Sequence, residues 1–188
     1  ETQSVSTIPV AVHIVYNNQT QNISDALVFS HISALNEDFR LLNADSVPVG
    51  HAFWPNTADS QIEFCLASFD PNGLPTNGIT RTSTTHGLFN DANSDDVKFT
   101  SLGGKDNWDP TSYLNMWVCN LGSGLYGYAT FPSELSTDPD YDGVVIDFEA
   151  FGSMGTATAP ANLGRTGTHE IGHWLNLSHI WGDDFCGD

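Results

Sequence analysis

The sequence predicts an α/β fold, a mixed sheet backed by helices in a single domain over residues 1–188. Three observations predict it. The segments run strand, helix, several strands, helix, the order of a layered α/β arrangement. The first segment, IPVAVHIVY (8–16), is a β-branched run of the kind that forms a buried strand. No repeat, low-complexity tract or composition shift divides the 188 residues, a length that suits one sizeable core.

The elements follow in order. After the first strand, Ser24 stands at a helix N-cap, and Val28, Ile32, Leu35 and Phe39 recur at helical spacing, predicting a helix to about residue 40. QIEFCLAS (61–68) reads as a second strand. Residues 70–110 are polar and rich in Gly, Asn and Asp, with no period, and read as irregular. YLNMWVCNL (113–121) and LYGYATFP (125–132) read as strands joined by a short Gly-containing turn, hence as a hairpin. The terminal Pro132 suits an edge strand. GVVIDF (143–148) is a fifth strand, and a Gly/Ala/Thr-rich linker leads to a helix from about 165 to 176.

Charge narrows the partners. Twenty-three acids against five bases give a net charge of −18. Such a chain has nothing with which to neutralise phosphates, which argues against nucleic acid and anionic membrane. No apolar run approaches the ~20 residues that span a bilayer. With no initiator Met and no secretory leader, the sequence reads as a mature form, expected outside the cell. The three cysteines are Cys65, Cys119 and Cys186. Cys65 and Cys119 are open to two readings, buried thiols or a disulfide, and Cys186 is expected to pair beyond residue 188.

Chemistry concentrates in GRTGTHEIGHWLNLSHIWG (164–182). On a helix, His169 and His173 lie one turn apart on one face, the spacing with which two imidazoles grip one zinc ion. Glu170 stands beside them as a carboxylate free to handle protons. A catalytic zinc takes three protein ligands, which makes His179 the third. A continuing helix would carry position 179 away, since six residues rise ~9 Å. The chain must therefore stop and turn back, and Asn176 is a residue that tolerates the left-handed conformation of such a stop.

HEIGHWLNLSH resembles HExxHxxGxxH, the long zinc motif of the metzincins, with Asn176 in place of the usual Gly. Together with IEFCLA, YLNMWVCNLGSGLYGYATFP and DGVVIDFEAFG, it is similar to the pappalysin family of metzincin zinc metalloendopeptidases, the ulilysin-like group. The resemblance implies a secreted zinc endopeptidase with Glu170 as general base and acid. It implies an upper subdomain with a twisted five-stranded mixed sheet, a backing helix at 25–40 and an active-site helix at 164–176. It also implies that peptide or protein substrate lies along LYGYATFP, at Gly127, Tyr128, Ala129 and Thr130. Metzincins carry a methionine turn after the third histidine, whereas Met116 and Met154 both precede it here. The lower subdomain is accordingly expected beyond residue 188, and one possible partner is a C-terminal remainder as a second chain. Two rival functions stand beside the peptidase: a zinc-binding fragment that needs such a complement, and an acidic calcium-dependent binding module.

Calcium is the second cofactor to consider. Asp138, Asp140, Asp142, Gly143 and Glu149 match EF-hand loop positions, though the segment runs into a strand. Asp183, Asp184 and Asp188 form another acidic group, and Asp91, Asp95 and Asp96 a third that reads as plain loop.

Overall fold

The computed structural model describes residues 4–90, 93–122 and 124–179. Its elements are β1 (Ser6–Tyr16), α1 (Asp25–Phe39), β2 (Ile62–Leu66), β3 (Ile79–Ser83), β4 (Leu114–Cys119), β5 (Gly127–Ala129), β6 (Val144–Asp147) and α2 (Arg165–Trp174). Together they form a mixed six-stranded sheet and two helices.

The sheet runs β2-β1-β4-β6-β5, with β3 also on β1. β2 pairs with Ser6–Val10 and β3 with Val12–Tyr16, while β4 pairs across Val10–Ile14. A strand has two edges, so β2 and β3 share one edge of β1 end to end. The predicted five strand positions are thus present, with one position filled by two strands. β3 falls inside the stretch read as irregular. Its sequence, ITRTS, shows no apolar alternation: it is held by parallel pairing to β1, by Ile79 against the core and by polar contacts of Thr80 and Arg81.

The predicted β4–β5 hairpin does not form. β6 lies between the two, parallel to β4 and antiparallel to β5. The glycines between β4 and β5 instead let the chain step over the inserted strand position. Among the described residues β5 pairs with β6 alone and so is the edge strand, as Pro132 suggested.

Both faces of the sheet centre are covered, which is why β1 and β4 are apolar almost throughout. On one face Val10, Val12, Ile14, Met116, Val118, Val144 and Ile146 pack under Leu27, Val28 and Leu35 of α1 and Ile171 of α2. On the other, Val15, Trp117, Cys119 and Val145 pack under Phe89 and Val97 of the long segment after β3. Ser24 caps α1, its hydroxyl accepting from the Leu27 N–H. Cys65 is exposed and Cys119 buried, both as free thiols. Cys186 lies outside the described residues.

Two histidines are built into this core. His13 is fully buried, its Nε2 3.0 Å from Asn115 Oδ1 and its Nδ1 2.8 Å from Thr80 Oγ1. His31 is fully buried, stacked on Phe151 at 4.0 Å, and accepts from the Gly152 N–H. Burial lowers the pKa of His13 to about 4 and that of His31 to about 3. Their folded values lie below the unfolded ~6.5, so the unfolded chain takes up protons first. Their contribution is whole above about pH 6.5 and is lost as pH falls toward 4 and 3. Asp142, Asp147 and Glu170, raised by burial, oppose this trend. By pH 4.5 each histidine should cost about 2–3 kcal/mol. Urea midpoints at pH 7.5 and 4.5 test this: His31→Phe should show a visibly shallower pH dependence than the parent.

Candidate metal centre

Helix α2 presents the centre, and its seat is fixed from below. Arg165 pairs with Asp38 at 2.9 Å and Asp45 at 2.7 Å, and Thr168 Oγ1 donates to Asp38 at 2.6 Å. Gly167 lies against the ring of His31, where no side chain fits: an added Cβ would stand 2.2 Å from His31 Nε2.

The helix stops where the sequence indicates. Asn176 has φ 72°, the left-handed conformation. Its N–H donates to His173 O, and the Leu177 N–H donates to Gly172 O, the paired bonds of a Schellman stop. Leu177 Cδ1 then covers Gly172, 3.8 Å from where a Cβ would be. Asn176→Gly should leave stability nearly unchanged, whereas Asn176→Ala should cost ~1 kcal/mol because alanine resists the left-handed region. Thermal melts of the two variants check this.

The return brings three imidazoles together. His169, His173 and His179 place their Nε2 atoms 3.0, 3.2 and 3.2 Å apart. His173 Nδ1 lies 2.7 Å from Leu177 O, and a carbonyl only accepts, so the His173 proton sits on Nδ1 and its Nε2 lone pair faces the other two rings. The Schellman stop therefore also orients a member of the triad. Three nitrogens on one zinc at ~2.1 Å in tetrahedral array would stand ~3.4 Å apart, close to the spacing seen. Among the described residues no other trio of His, Cys, Asp or Glu converges in this way. The donor set fits a zinc ion. Burial, then the neighbouring His173 and His179, lower the pKa of His169.

Glu170 is 7% exposed and lies beside the triad against β5. Burial raises its pKa to about 7, with His179 opposing. Gly127 makes room for it, since a Cβ there would meet Glu170 Cγ at 2.9 Å and Val145 O at 2.9 Å.

The cleft runs along β5. A cavity of about 300 Å³ lies between Gly127, Ala129 and the histidines, and an apolar one of about 440 Å³ adjoins it beyond Glu170, between Tyr126, Leu163 and Thr166. The β5–β6 register makes 126–147 and 130–143 hydrogen-bonded pairs, through Asp147 N–H to Tyr126 O and Thr130 N–H to Gly143 O. By alternation, Gly127 and Ala129 turn their N–H and C=O toward the open edge, while Tyr128 and Thr130 turn theirs toward β6. Tyr128 sends its ring to the far face, donating to Ser94 O at 2.8 Å. Thr130 is buried past the end of the strand, its hydroxyl donating to Tyr141 O at 2.6 Å. Of the four positions predicted to meet substrate, only Gly127 and Ala129 offer backbone to the cleft.

Among the described residues, the aspartates read as calcium ligands do not assemble. Asp138, Asp140 and Asp142 form no three-donor group, and Asp142 is 1% exposed, accepting from Trp174 Nε1 at 3.1 and 3.2 Å. Asp91, Asp183, Asp184 and Asp188 lie outside the described residues. The Leu177 carbonyl, the Asp142–Trp174 contact and the fit of Gly127 to Glu170 carry no sequence signature of their own.

The chain is similar to known proteins over its length. The peptidase M43 family model, described as Pregnancy-associated plasma protein-A, matches residues 91–188. An extracellular metalloprotease of Verticillium alfalfae is 31% identical over 184 residues, covering 93% of this chain and 51% of its own length. Another, of Colletotrichum graminicola, is 42% identical over 69 residues, 35% of this chain and 24% of its own length. The chain spans about half the length of the first such relatives, or less. Mature mirolysin of Tannerella forsythia in complex with a cleaved peptide is 55% identical, with a TM-score of 0.93 over 97% of this chain and 67% of that one. Promirolysin has the same identity and TM-score, with 59% of its chain covered.

Proposed function

From the premise that this chain belongs to the pappalysin (M43) family of metallopeptidases, we propose that it forms the metal-binding side of the cleft of a zinc-dependent endopeptidase. The observation that carries this reading is the triangle of imidazole nitrogens 3.0–3.2 Å apart with a buried carboxylate beside it. His169, His173 and His179 would hold the ion. Once bound, zinc supplies a Lewis acid that polarises a carbonyl and acidifies water.

The chain's own residues do the rest. A peptide laid along β5 would pair with the outward N–H and C=O of Gly127 and Ala129, which fixes its direction and brings a carbonyl to the histidines. Glu170 would take a proton from the attacking water on its carboxylate and pass it to the leaving amine nitrogen. A carboxyl poised near neutrality in the metal-free protein suits a group that must both accept and release a proton. The site lies between β5 and α2, with Glu170 buried and His169 exposed at its mouth. An extracellular setting belongs to the same proposal: the relatives bear that description, and no helix among the described residues is long and apolar enough to cross a membrane. Mirolysin, seen with a cleaved peptide, makes a peptide the substrate to try first.

The test is hydrolysis of a peptide library by the 188-residue chain at one equivalent of zinc. Cleavage should appear, vanish with a strong chelator and return with zinc. Tight binding of one zinc per chain without cleavage would instead favour a fragment that needs a complementing C-terminal chain. Binding of calcium but no zinc would overturn the peptidase reading in favour of an acidic binding module.

A further inference from the structure

Asp142 is a costly residue where it stands. It is 1% exposed, and the hydrogen bond it is seen to accept comes from the indole N–H of Trp174, shared between its two oxygens at 3.1 and 3.2 Å. Burying a carboxylate costs desolvation that this hydrogen bond must offset, so the tie to Trp174 is the contact its position is built around.

Its neighbours show what the tie connects. Gly143 O accepts from the Thr130 N–H at 3.0 Å, and Tyr141 O accepts from Thr130 Oγ1 at 2.6 Å and from Lys98 Nζ at 2.9 Å. Lys98 is itself 2% exposed, paired with Asp95 at 3.0 Å. Residues 141–143 thus clamp the C-terminal end of β5. The same three residues, through Asp142, hold Trp174 in the last turn of α2, next to His173. Phe131, directly after Thr130, packs on the His173 ring at 5.4 Å. One short segment therefore links the strand along which a peptide would lie to the turn that carries a histidine of the triad.

We propose that Asp142 is a positioning residue: by holding the Trp174 indole it sets the gap between β5 and the last turn of α2, and with it the seat of His173 and the register of a peptide relative to the triad. This rests on the peptidase reading for its second consequence but not for its first, the seat of His173.

The experiment uses the full chain with Asp142→Asn, Asp142→Ala, Trp174→Phe and the double variant Asp142→Ala/Trp174→Phe. Zinc affinity is measured by competition with a chromophoric chelator, and KM and kcat with a cleaved peptide. Asp142→Ala and Trp174→Phe should each weaken zinc ~10-fold, the size expected for loss of a partner behind a metal ligand. The double variant should be no weaker than the worse single one, since both remove one link. Asp142→Asn keeps an acceptor and should stay within about threefold of the parent. In peptide cleavage, kcat should fall with KM little changed, because the reacting geometry and not the strand pairing is disturbed. Unchanged zinc affinity in folded Asp142→Ala and Trp174→Phe, or losses that simply multiply in the double variant, would overturn the proposal. If Asp142→Ala fails to fold, Trp174→Phe against Asp142→Asn decides the same question. Zinc effects as expected with no cleavage by any form, the parent included, would sink the peptidase reading and leave this inference standing.

Discussion

Replacing Glu170 by alanine should leave zinc affinity within a few-fold of the parent and lower peptide turnover by ~10²–10⁴, the span of general acid–base catalysis. The two expectations separate because Glu170 is not part of the nitrogen triangle. Glu170 is 7% exposed beside β5, while the nitrogens that could hold a metal belong to His169, His173 and His179. Removing a non-ligand leaves the donor set intact, but no other carboxylate among the residues lining that cavity can carry a proton between water and amine. Glu170→Gln should lose nearly as much, since an amide keeps the shape and not the basicity. The metal-free alanine variant should be no less stable than the parent at pH 8. Burial raises the Glu170 pKa to about 7, so above that pH a charge is held in a site that disfavours it. Such a variant that cleaves at the parental rate, or that loses zinc binding in proportion to activity, would remove Glu170 from the mechanism.

The split between legible and hidden features follows sequence range. The Ser24 cap, the apolar stripe of α1 and the left-handed Asn176 were readable because each is fixed by residues within one or two turns. The histidine triad was readable for the same reason: spacings of four and six residues encode a helical turn and a reversal. Pairing between distant segments was not. The turn between β4 and β5 has hairpin chemistry, yet β6, which follows both in the chain, enters between them, where the parallel pairing to β4 buries Val145 and Ile146 on both faces. β3 was invisible because its threonines and Arg81 point to no core pattern.

Asp142 shows how a local pattern misleads. Asp138, Asp140, Asp142 and Gly143 fall at metal-loop spacing, but spacing says nothing of a tertiary partner 32 residues on. Gly143 is there for another reason: it has φ 134°, and a Cβ would strike Asn115 O at 2.3 Å. The strand crossing demanded the glycine, and Trp174 took the aspartate. Thr130, which the family resemblance places along the substrate strand, turns its N–H inward to Gly143 O in the β5–β6 register, a tertiary pairing its own sequence does not announce.

Gly167→Ala should be strongly destabilising, although alanine is ordinarily favoured over glycine within a helix by ~1 kcal/mol. The added Cβ would lie 2.2 Å from His31 Nε2 and 2.3 Å from its Cε1. His31 has little freedom to yield: it is fully buried, stacked on Phe151, and its Nδ1 satisfies the Gly152 N–H. Either the imidazole swings and orphans that N–H, at about 1–3 kcal/mol, or α2 lifts from α1 and carries His169 and His173 with it. Overpacking alone costs about 1–3 kcal/mol, so a total of about 2–6 kcal/mol is expected in urea unfolding, with zinc affinity falling too if the helix moves. His31 Nε2 is buried with no hydrogen-bond partner among the described residues, so it packs against the bare Gly167 backbone by shape. Trimming it should therefore make room: Gly167→Ala with His31→Ala should be more stable than Gly167→Ala by itself and should recover zinc binding. A Gly167→Ala variant as stable as the parent would show that α1 and α2 do not meet as closely as His31 requires.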